Sequence, residues 1–272
     1  MELSMYMTYA LGQNFPTAVD AFRYFYDKGV RYGDMLDTDL DGYSIEQYVK
    51  DLKESRITPN TLVCMANIAS FDKAERTEKI SLVKGYIDKM GELSVPLIML
   101  APDVMPARSR EEAEEMRKIL ISSFSEMCDY AKKSGVKVAM ENQSTHTRAD
   151  SRAEDIRFIL DEIPDLGFVF DIGNFFCVGE DALKAYELLS HRLVHVHAKD
   201  WIIDPYGDFV RENLPRFTGC AIGNGIIPVK EIINRLRKDE YDGKIVLEVN
   251  KTGITLDILS ESAEFLRSEI YV

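Results

Sequence analysis

Short apolar runs alternate with amphipathic segments along the whole chain. The runs have the length and bulk of buried β-strands, and the segments between them carry apolar residues at helical spacing. Residues 110–134 show that spacing clearly, because apolar side chains recur every third or fourth position and Gly135 follows as a stop signal. The alternation predicts strands separated by helices. The strands are predicted at residues 5–10, 30–36, 61–67, 96–102, 137–142, 167–173, 193–199 and 244–249.

Several helix boundaries are marked by residues that cap backbone groups. A Ser or Thr followed three positions later by an acidic or amide residue is typical of a helix start, because such side chains satisfy free N–H groups. Gly29 is expected to end the first helix, and Pro228 to open a late one. The predicted capping pairs are Thr17 with Asp20, Ser44 with Gln47, Ser109 with Glu112, and Ser151 with Glu154.

The repeated strand–helix order predicts an α/β fold, a single (β/α)8 TIM barrel that spans residues 1–272 as one domain. A doubly wound open sheet would need a glycine-rich phosphate turn after an early strand. The glycines of residues 219–225 do not stand between a strand and its helix, so they do not meet that requirement. The longest irregular segment, residues 201–224, follows the seventh predicted strand, and loops of this length are often lids.

Four predicted strands in the second half of the chain end on a residue that can bind a metal. Parallel strands place their carboxyl ends on one side of a barrel, so these side chains are expected to meet there. Three carboxylates and one imidazole suit a divalent cation and leave positions open for a substrate. His195 lies two positions before His197 on the same strand face and is the alternative ligand. The four expected ligands are Glu141, Asp171, His197 and Glu248.

The composition is that of an ordinary globular protein with a strongly acidic balance. Hydrophobic residues make up 46% of the chain, and the formal net charge of −13 disfavours a nucleic-acid partner. No apolar run approaches the roughly 18 residues that a membrane span needs. The four cysteines form no C-x-x-C pair, which is typical of free thiols in a reducing compartment. We therefore expect a soluble, cytoplasmic protein without a membrane partner, and we leave homo-oligomer formation open.

In these strand ends the chain resembles the sugar phosphate isomerase/epimerase family, the xylose isomerase-like TIM barrels that also include endonuclease IV. The resemblance implies that the four expected ligands hold one divalent metal ion, whether Mn, Zn, Co or Mg, and that the two glutamates exchange protons with substrate carbon. The resemblance is densest in residues 137–250. The matching residues are Glu141, Asp171, Asn174, His197, Lys199, Asp200, residues 223–228 and Glu248.

The chemistry of these residue types agrees with what the resemblance implies. A hydroxy-ketone carbohydrate can chelate a cation through adjacent oxygens, and the cation then stabilises the enediolate that forms. Glu141 and Glu248 would act as catalytic acid and base. Asn174, Lys199 and His146 are candidate substrate-binding residues. Each has a simpler interpretation. Asn174 would cap a helix, Lys199 would pair with a barrel carboxylate, and His146 would be a solvated loop histidine.

Other functions on the same barrel are distinguished by particular residues. Several ketose 3-epimerases have His where this chain has Asn174, and an Arg shortly after the metal-binding His, where this chain has residues 201–203. This weakens a specific ketohexose epimerase interpretation. A metal-dependent dehydratase of an inosose or related cyclic ketone would use the same ligands. An endonuclease IV-like DNA repair enzyme is remote, because no histidine precedes His146. A sugar-binding module without catalysis would not need both glutamates.

Overall fold

The computed structural model describes residues 1–102, 109–145, 148–211 and 213–272. Eight parallel strands close into a barrel in the order β1-β10-β7-β6-β5-β4-β3-β2, and two further strands, β8 and β9, form a separate antiparallel hairpin. The predicted TIM barrel is therefore confirmed. The strands are β1 Glu2–Tyr6, β2 Tyr32–Leu36, β3 Thr58–Cys64, β4 Leu97–Leu100, β5 Lys137–Glu141, β6 Gly167–Asp171, β7 Leu193–Ala198, β8 Trp201–Ile203, β9 Phe217–Gly219 and β10 Lys244–Leu247.

Helices follow the barrel strands, and three of the four predicted capping residues hold their helix starts. The side chains of Thr17, Ser44 and Ser109 each accept a hydrogen bond from the backbone N–H three positions later. No helix of the described residues is long and apolar enough to cross a membrane. The helices are α1 Thr8–Leu11, α2 Ala18–Asp27, α3 Ile45–Glu54, α4 Lys73–Leu93, α5 Arg110–Ala131, α6 Ala153–Glu162, α7 Ile172–Cys177, α8 Ala182–Leu189, α9 Val229–Lys238 and α10 Leu256–Ile270.

The fourth capping prediction is wrong. Helix α6 begins at Ala153, and the hydroxyl of Ser151 donates to the carbonyl of Thr145 at 2.6 Å instead of capping the helix. The sequence pair Ser151 and Glu154 therefore has the right spacing but the wrong partner. The serine ties the loop after β5 to the start of α6, close to the carboxyl end of the barrel.

The first strand lies earlier than predicted, at Glu2–Tyr6 and not at residues 5–10. Leu3 and Met5 pack in the large core between strands and helices, whereas Tyr6 packs in the smaller cluster that fills the barrel. Ser4 lies on the inward face and is buried, and its hydroxyl is satisfied there by donating to Asp34 at 2.7 Å. The prediction failed because a polar residue at an inward position interrupts the apolar pattern of the strand. The apolar residues predicted to extend it belong to the short helix α1.

Candidate metal centre

The four expected ligands meet at the carboxyl end of the barrel. β5, β6, β7 and β10 are neighbours, so the residues at or next to their carboxyl ends form an arc along one half of the barrel mouth. Each residue offers a nitrogen or oxygen atom, and these four atoms all lie within 4.8 Å of one another. All four side chains are buried. We call Glu141, Asp171, His197 and Glu248 the four-residue cluster; their role as metal ligands stays a prediction.

His197 is at the centre of the cluster and faces two carboxylates through the same ring nitrogen. Its Nδ1 lies 2.5 Å from Oε1 of Glu141 and 3.2 Å from Oε2 of Glu248. The hydroxyl of Tyr6 lies 3.2 Å from the same nitrogen. Burial disfavours a charged imidazole, but the carboxylates of Glu141 and Glu248 outweigh it and raise the pKa of His197 to about 10. Without a metal, His197 therefore keeps its proton at neutral pH.

Lys199 supplies a buried positive charge beside the cluster. Its Nζ lies 2.6 Å from Oδ2 of Asp171 and 2.8 Å from Oε1 of Glu248, and it donates to Oδ1 of Asn174 at 3.1 Å. Burial lowers the pKa of this amine, but Asp171 and Glu248 raise it well above the ordinary value. Lys199 is thus an ammonium paired with barrel carboxylates, which is the simpler of the two interpretations made from the sequence.

Asp171 and Glu248 share Lys199 but differ in the pKa that results. Burial raises the pKa of Asp171 to about 7, against the opposing charge of Lys199. Burial also opposes the charge of Glu248, yet Lys199 and His197 outweigh it and lower the pKa to about 2. Oδ2 of Asp171 and Oε2 of Glu248 are buried and accept no hydrogen bond of acceptable angle, although each lies near a cation.

Charge and donor atoms together fit a divalent cation. The cluster carries three carboxylates and Lys199 carries one ammonium, so with a neutral imidazole the net charge is −2. A buried charge of that size is unfavourable unless it is compensated, and one divalent ion compensates it. Oδ2 of Asp171 and Oε2 of Glu248 accept no hydrogen bond, and they are the oxygens that such an ion would bind in place of their contacts with Lys199 and protonated His197. Three oxygens and one imidazole nitrogen are the donors that Mn²⁺, Zn²⁺ and similar ions take.

Asn142 holds Asp171 in place and was missed in the sequence. Its amide donates to the carbonyl of Asp171 at 3.0 Å and accepts from the N–H of Asp171 at 2.9 Å. The side chain thus pairs with the backbone as another strand residue would, just beyond the end of β5. The signal was present, because an amide follows Glu141 directly at the end of a buried apolar run. Asn142 itself is completely buried.

Replacing Asn142 with Ala is expected to lower the free energy of unfolding by at least about 2 kcal/mol, because one buried N–H and one buried carbonyl lose their partner. Metal affinity should fall as well, since Asp171 is no longer held. Thermal unfolding with and without a chelator measures both effects. The matched control is Gln143→Ala, because Gln143 makes only a 3.4 Å contact with the carbonyl of Glu141. Equal stability of the two variants would contradict the assignment.

The alternative ligand His195 is engaged elsewhere. Its Nε2 lies 2.6 Å from Oδ2 of Asp34, whose other oxygen, Oδ1, accepts a hydrogen bond from Ser4. Burial opposes the charge of Asp34, but His195 outweighs it and lowers the pKa of the carboxyl. His195 and Asp34 form a second buried group with His197, one layer deeper in the barrel. The geometry therefore favours His197 as the residue of β7 that completes the cluster.

The two remaining candidate residues have different outcomes. The side chain of Asn174 donates to the carbonyl of Asn142 at 2.9 Å and accepts from Lys199, so its amide braces the site. Its backbone N–H is the group that Asp171 caps at the start of α7. A role of Asn174 in binding substrate stays a prediction. His146 lies outside the described residues.

Residues 201–224 contain a structured hairpin at the rim of the site. β8 and β9 pair from Trp201 with Gly219 to Ile203 with Phe217. The indole of Trp201 donates to the carbonyl of Gly173 at 3.0 Å, which fastens the hairpin to α7. The expectation of an irregular loop was therefore wrong for this part, because alternating apolar residues at Trp201 and Phe217 form a small core of their own.

Asp200 fastens the other end of this rim segment. Its carboxylate accepts from four backbone N–H groups at 2.9 to 3.0 Å. A side chain at Gly225 would place its Cβ 2.1 Å from Oδ1 of Asp200, so only glycine fits there. Two of the glycines of residues 219–225, Gly223 and Gly225, thus pack around a carboxylate. The four donors are Trp201, Gly223, Gly225 and Ile227.

Comparison with known proteins identifies the family. The family model described as xylose isomerase-like TIM barrel matches residues 18–269. The chain belongs to this family. Among its relatives, the inosose isomerase of Halalkalibacterium halodurans is 21% identical over 224 residues, covering 81% of this chain and 76% of that protein. The inosose dehydratase of Histophilus somni is 26% identical over 143 residues, which are 49% of this chain and 48% of the dehydratase.

Solved structures share the fold over the full chain. A structure of the IolI protein with a bound zinc atom has a TM-score of 0.76 at 18% identity, covering 100% of this chain and 95% of that one. A D-psicose 3-epimerase from Clostridium cellulolyticum H10, solved with D-tagatose, has a TM-score of 0.77 at 16% identity, covering 100% and 99%. At such identities the likeness shows the barrel fold alone.

Proposed function

We propose that this protein is a divalent-metal-dependent isomerase or epimerase of a hydroxy-ketone carbohydrate, with the four-residue cluster as its metal site. The observation that carries the proposal is the placement of Glu141 and Glu248. They stand on the outermost two of the four neighbouring strands, and both contact Nδ1 of His197 from there. Two buried carboxylates on either side of one centre can remove a proton from one carbon and deliver it to another.

In the proposed reaction the residues of the chain divide the work. A bound divalent cation would supply charge stabilisation for the enediolate oxygens and make the adjacent C–H more acidic. Glu248 is ionised at neutral pH in the metal-free site. In the proposed reaction it accepts that proton, and release of the His197 proton on metal binding removes one of the two charges that lower its pKa and so makes it more basic. Lys199 holds the carboxylate of Glu248 in one orientation at 2.8 Å. Glu141 returns or removes a proton on the other side of the site.

A dehydratase is the second candidate function, favoured by the relative that is named an inosose dehydratase. It would begin with the same proton removal and then expel a hydroxyl group as water. The four-residue cluster serves both reactions. The test is to incubate the metal-loaded protein with ketoses, inososes and hydroxypyruvate in deuterated water. Deuterium bound to carbon without loss of water supports the isomerase or epimerase, loss of water supports the dehydratase, and no reaction with any of them contradicts the proposal.

Metal affinity is expected to rise with pH. The cation would bind the same Nδ1 that carries the proton of His197, so binding releases that proton. The pKa of His197 is raised from 6.5 to about 10, and the apparent affinity should therefore increase about tenfold for each pH unit between 7 and 9. Titration calorimetry with Mn²⁺ in two buffers of different ionisation enthalpy measures the released proton. An affinity independent of pH in this range would exclude His197 as a ligand.

The raised pKa of His197 also determines how the stability of the metal-free protein depends on pH. Because the folded pKa of His197 lies above the unfolded value of 6.5, its proton stabilises the fold most fully below pH 6.5. This contribution is lost as the pH rises through about 10. Alkaline conditions thus favour metal binding while they weaken the metal-free fold. Added Mn²⁺ should therefore stabilise the protein more at pH 9 than at pH 7.

A further inference from the structure

A hollow lies at the opposite end of the barrel from the four-residue cluster. It has a volume of about 590 Å³ and is bordered by the first residues of barrel strands and by the last turns of helices. Parallel strands all begin at this end, so the hollow is separated from the cluster by the length of the barrel. Its charged and aromatic lining residues are Glu2, Tyr26, Asp27, Arg31, Tyr32, Arg56, Arg267 and Tyr271.

Three arginines, Arg31, Arg56 and Arg267, line this hollow. Among the described residues, no carboxylate oxygen lies within 4.0 Å of the guanidinium groups of Arg31, Arg56 or Arg267. The chain has a net charge of −13, so a site where arginines outnumber carboxylates differs from the rest of the protein. Guanidinium groups bind phosphate and carboxylate through paired N–H donors. The hollow therefore offers a location where an anion is attracted to an otherwise acidic protein.

The arginines are held in position before any ligand arrives. Arg31 donates through Nη1 to the carbonyl of Tyr26 at 2.6 Å, and its guanidinium lies 4.2 Å from the centre of the Tyr26 ring. Nη1 also donates to the carbonyl of Val30 at 3.1 Å, and among the described residues no acceptor is recorded for Nε and Nη2 of Arg31. The stem of Arg267 packs on Gly29, where a Cβ would come within 2.7 Å of Cδ of Arg267. Preorganised donors lose less entropy when a ligand binds.

Arg56 occupies a backbone position that favours glycine. Its φ is 67°, because it follows the last turn of α3 in the left-handed conformation. An arginine there is less favourable than glycine by about 1 kcal/mol. This strained position places the guanidinium of Arg56 at the hollow, with its Cζ 6.0 Å from the centre of the Tyr26 ring. The helix end alone does not require a charged residue.

Two carboxylates reduce the positive charge of the hollow and so limit how much negative charge a ligand can carry. Glu2 accepts a hydrogen bond from the hydroxyl of Tyr271 at 2.7 Å, and Asp27 also lines the hollow. With three arginines the lining has a net charge of +1, which suits one compact anion and not a polyanion. We propose that this hollow binds a small molecule that carries a phosphate monoester. This inference does not depend on the proposed function of the four-residue cluster.

The test uses chelator-treated protein, so that the four-residue cluster cannot bind phosphate through a metal. The protein is titrated with inorganic phosphate, ribose 5-phosphate and adenosine monophosphate, with ribose as the neutral control, by calorimetry and thermal unfolding. We expect saturable binding of at least one phosphate compound and none of ribose. Equal binding of all three phosphate compounds would show that the phosphate alone is recognised, and tighter binding of the nucleotide that its ring is also bound.

Two variants locate the site. Arg56→Gly should keep or raise the melting temperature, because glycine is favoured at this φ, and should weaken phosphate binding about tenfold. Arg267→Gln should weaken it similarly. Lys238→Gln removes the same charge from the exposed end of α9 and should change nothing. No binding of any phosphate compound below about 10 mM, or undiminished binding in both arginine variants, would overturn the proposal.

Discussion

Replacing Glu248 with Gln is expected to lower turnover by about a hundredfold or more, because an amide cannot accept a proton at neutral pH. Gln keeps the shape of Glu and an oxygen that can bind a metal, so the barrel and part of the metal affinity should be retained. Turnover is measured with the substrate found in the deuterated-water experiment, at saturating metal. Deuterium incorporation into carbon should fall in parallel with turnover.

Glu141→Gln distinguishes a two-carboxylate mechanism from one that uses a single base. If both glutamates transfer protons, this variant should lose activity to a similar extent at any metal concentration. If Glu141 only binds the metal, excess metal should restore its activity. The matched control is Glu231→Gln on the exposed first turn of α9, which should behave as the unaltered protein. Turnover near normal in both cluster variants would rule out the two-carboxylate mechanism.

Replacing Lys199 with Met is expected to lower the free energy of unfolding of the metal-free protein by about 3–5 kcal/mol, because it leaves buried carboxylates without their cation. Lys199 is 2% exposed and lies within 2.8 Å of Asp171 and Glu248. For a chain of this size the melting temperature should fall by about 10 °C. Saturating Mn²⁺ should recover part of the loss, because it supplies positive charge to the same carboxylates.

The control for this variant is another lysine with a carboxylate partner at a similar distance. Lys230 pairs with Glu269 at 2.8 Å, but its side chain is 60% exposed. Lys230→Met should change the free energy of unfolding by no more than about 1 kcal/mol, since water screens exposed ion pairs. If Lys199→Met has an equally small effect, then Lys199 does not hold the cluster together.

The parts of the molecule that follow from regular spacing were predictable from the sequence. The barrel strands after the first lie within a few residues of their predicted places, because each is a compact apolar run followed by a helix. The meeting of Glu141 with Asp171 followed from a general property of parallel strands, whose carboxyl ends share one side. No knowledge of individual contacts was needed for either step.

Features that depend on pairing across the barrel were not predictable. The inward Ser4 is explained only by Asp34, which lies on another strand. For Asn142 the sequence signals only an amide at the end of a buried run, and its two hydrogen bonds to Asp171 require the register of β5 against β6. Lys199 was ambiguous for the same reason, since its partners lie on different strands. A sequence shows which groups need partners, and the fold decides which partners they have.

The barrel strands fall into two groups. The arc of β5, β6, β7 and β10 carries the four-residue cluster, and β1 to β4 carry no member of it. Every residue of the four-residue cluster comes from this arc, so the strands β1 to β4 supply the other half of the mouth without holding any member of the cluster. Substitutions in residues 1–102 that spare Tyr6 and Asp34 therefore leave the cluster and its direct partners in place. Under the proposed function, libraries for changing substrate selectivity should begin with loops of the N-terminal half.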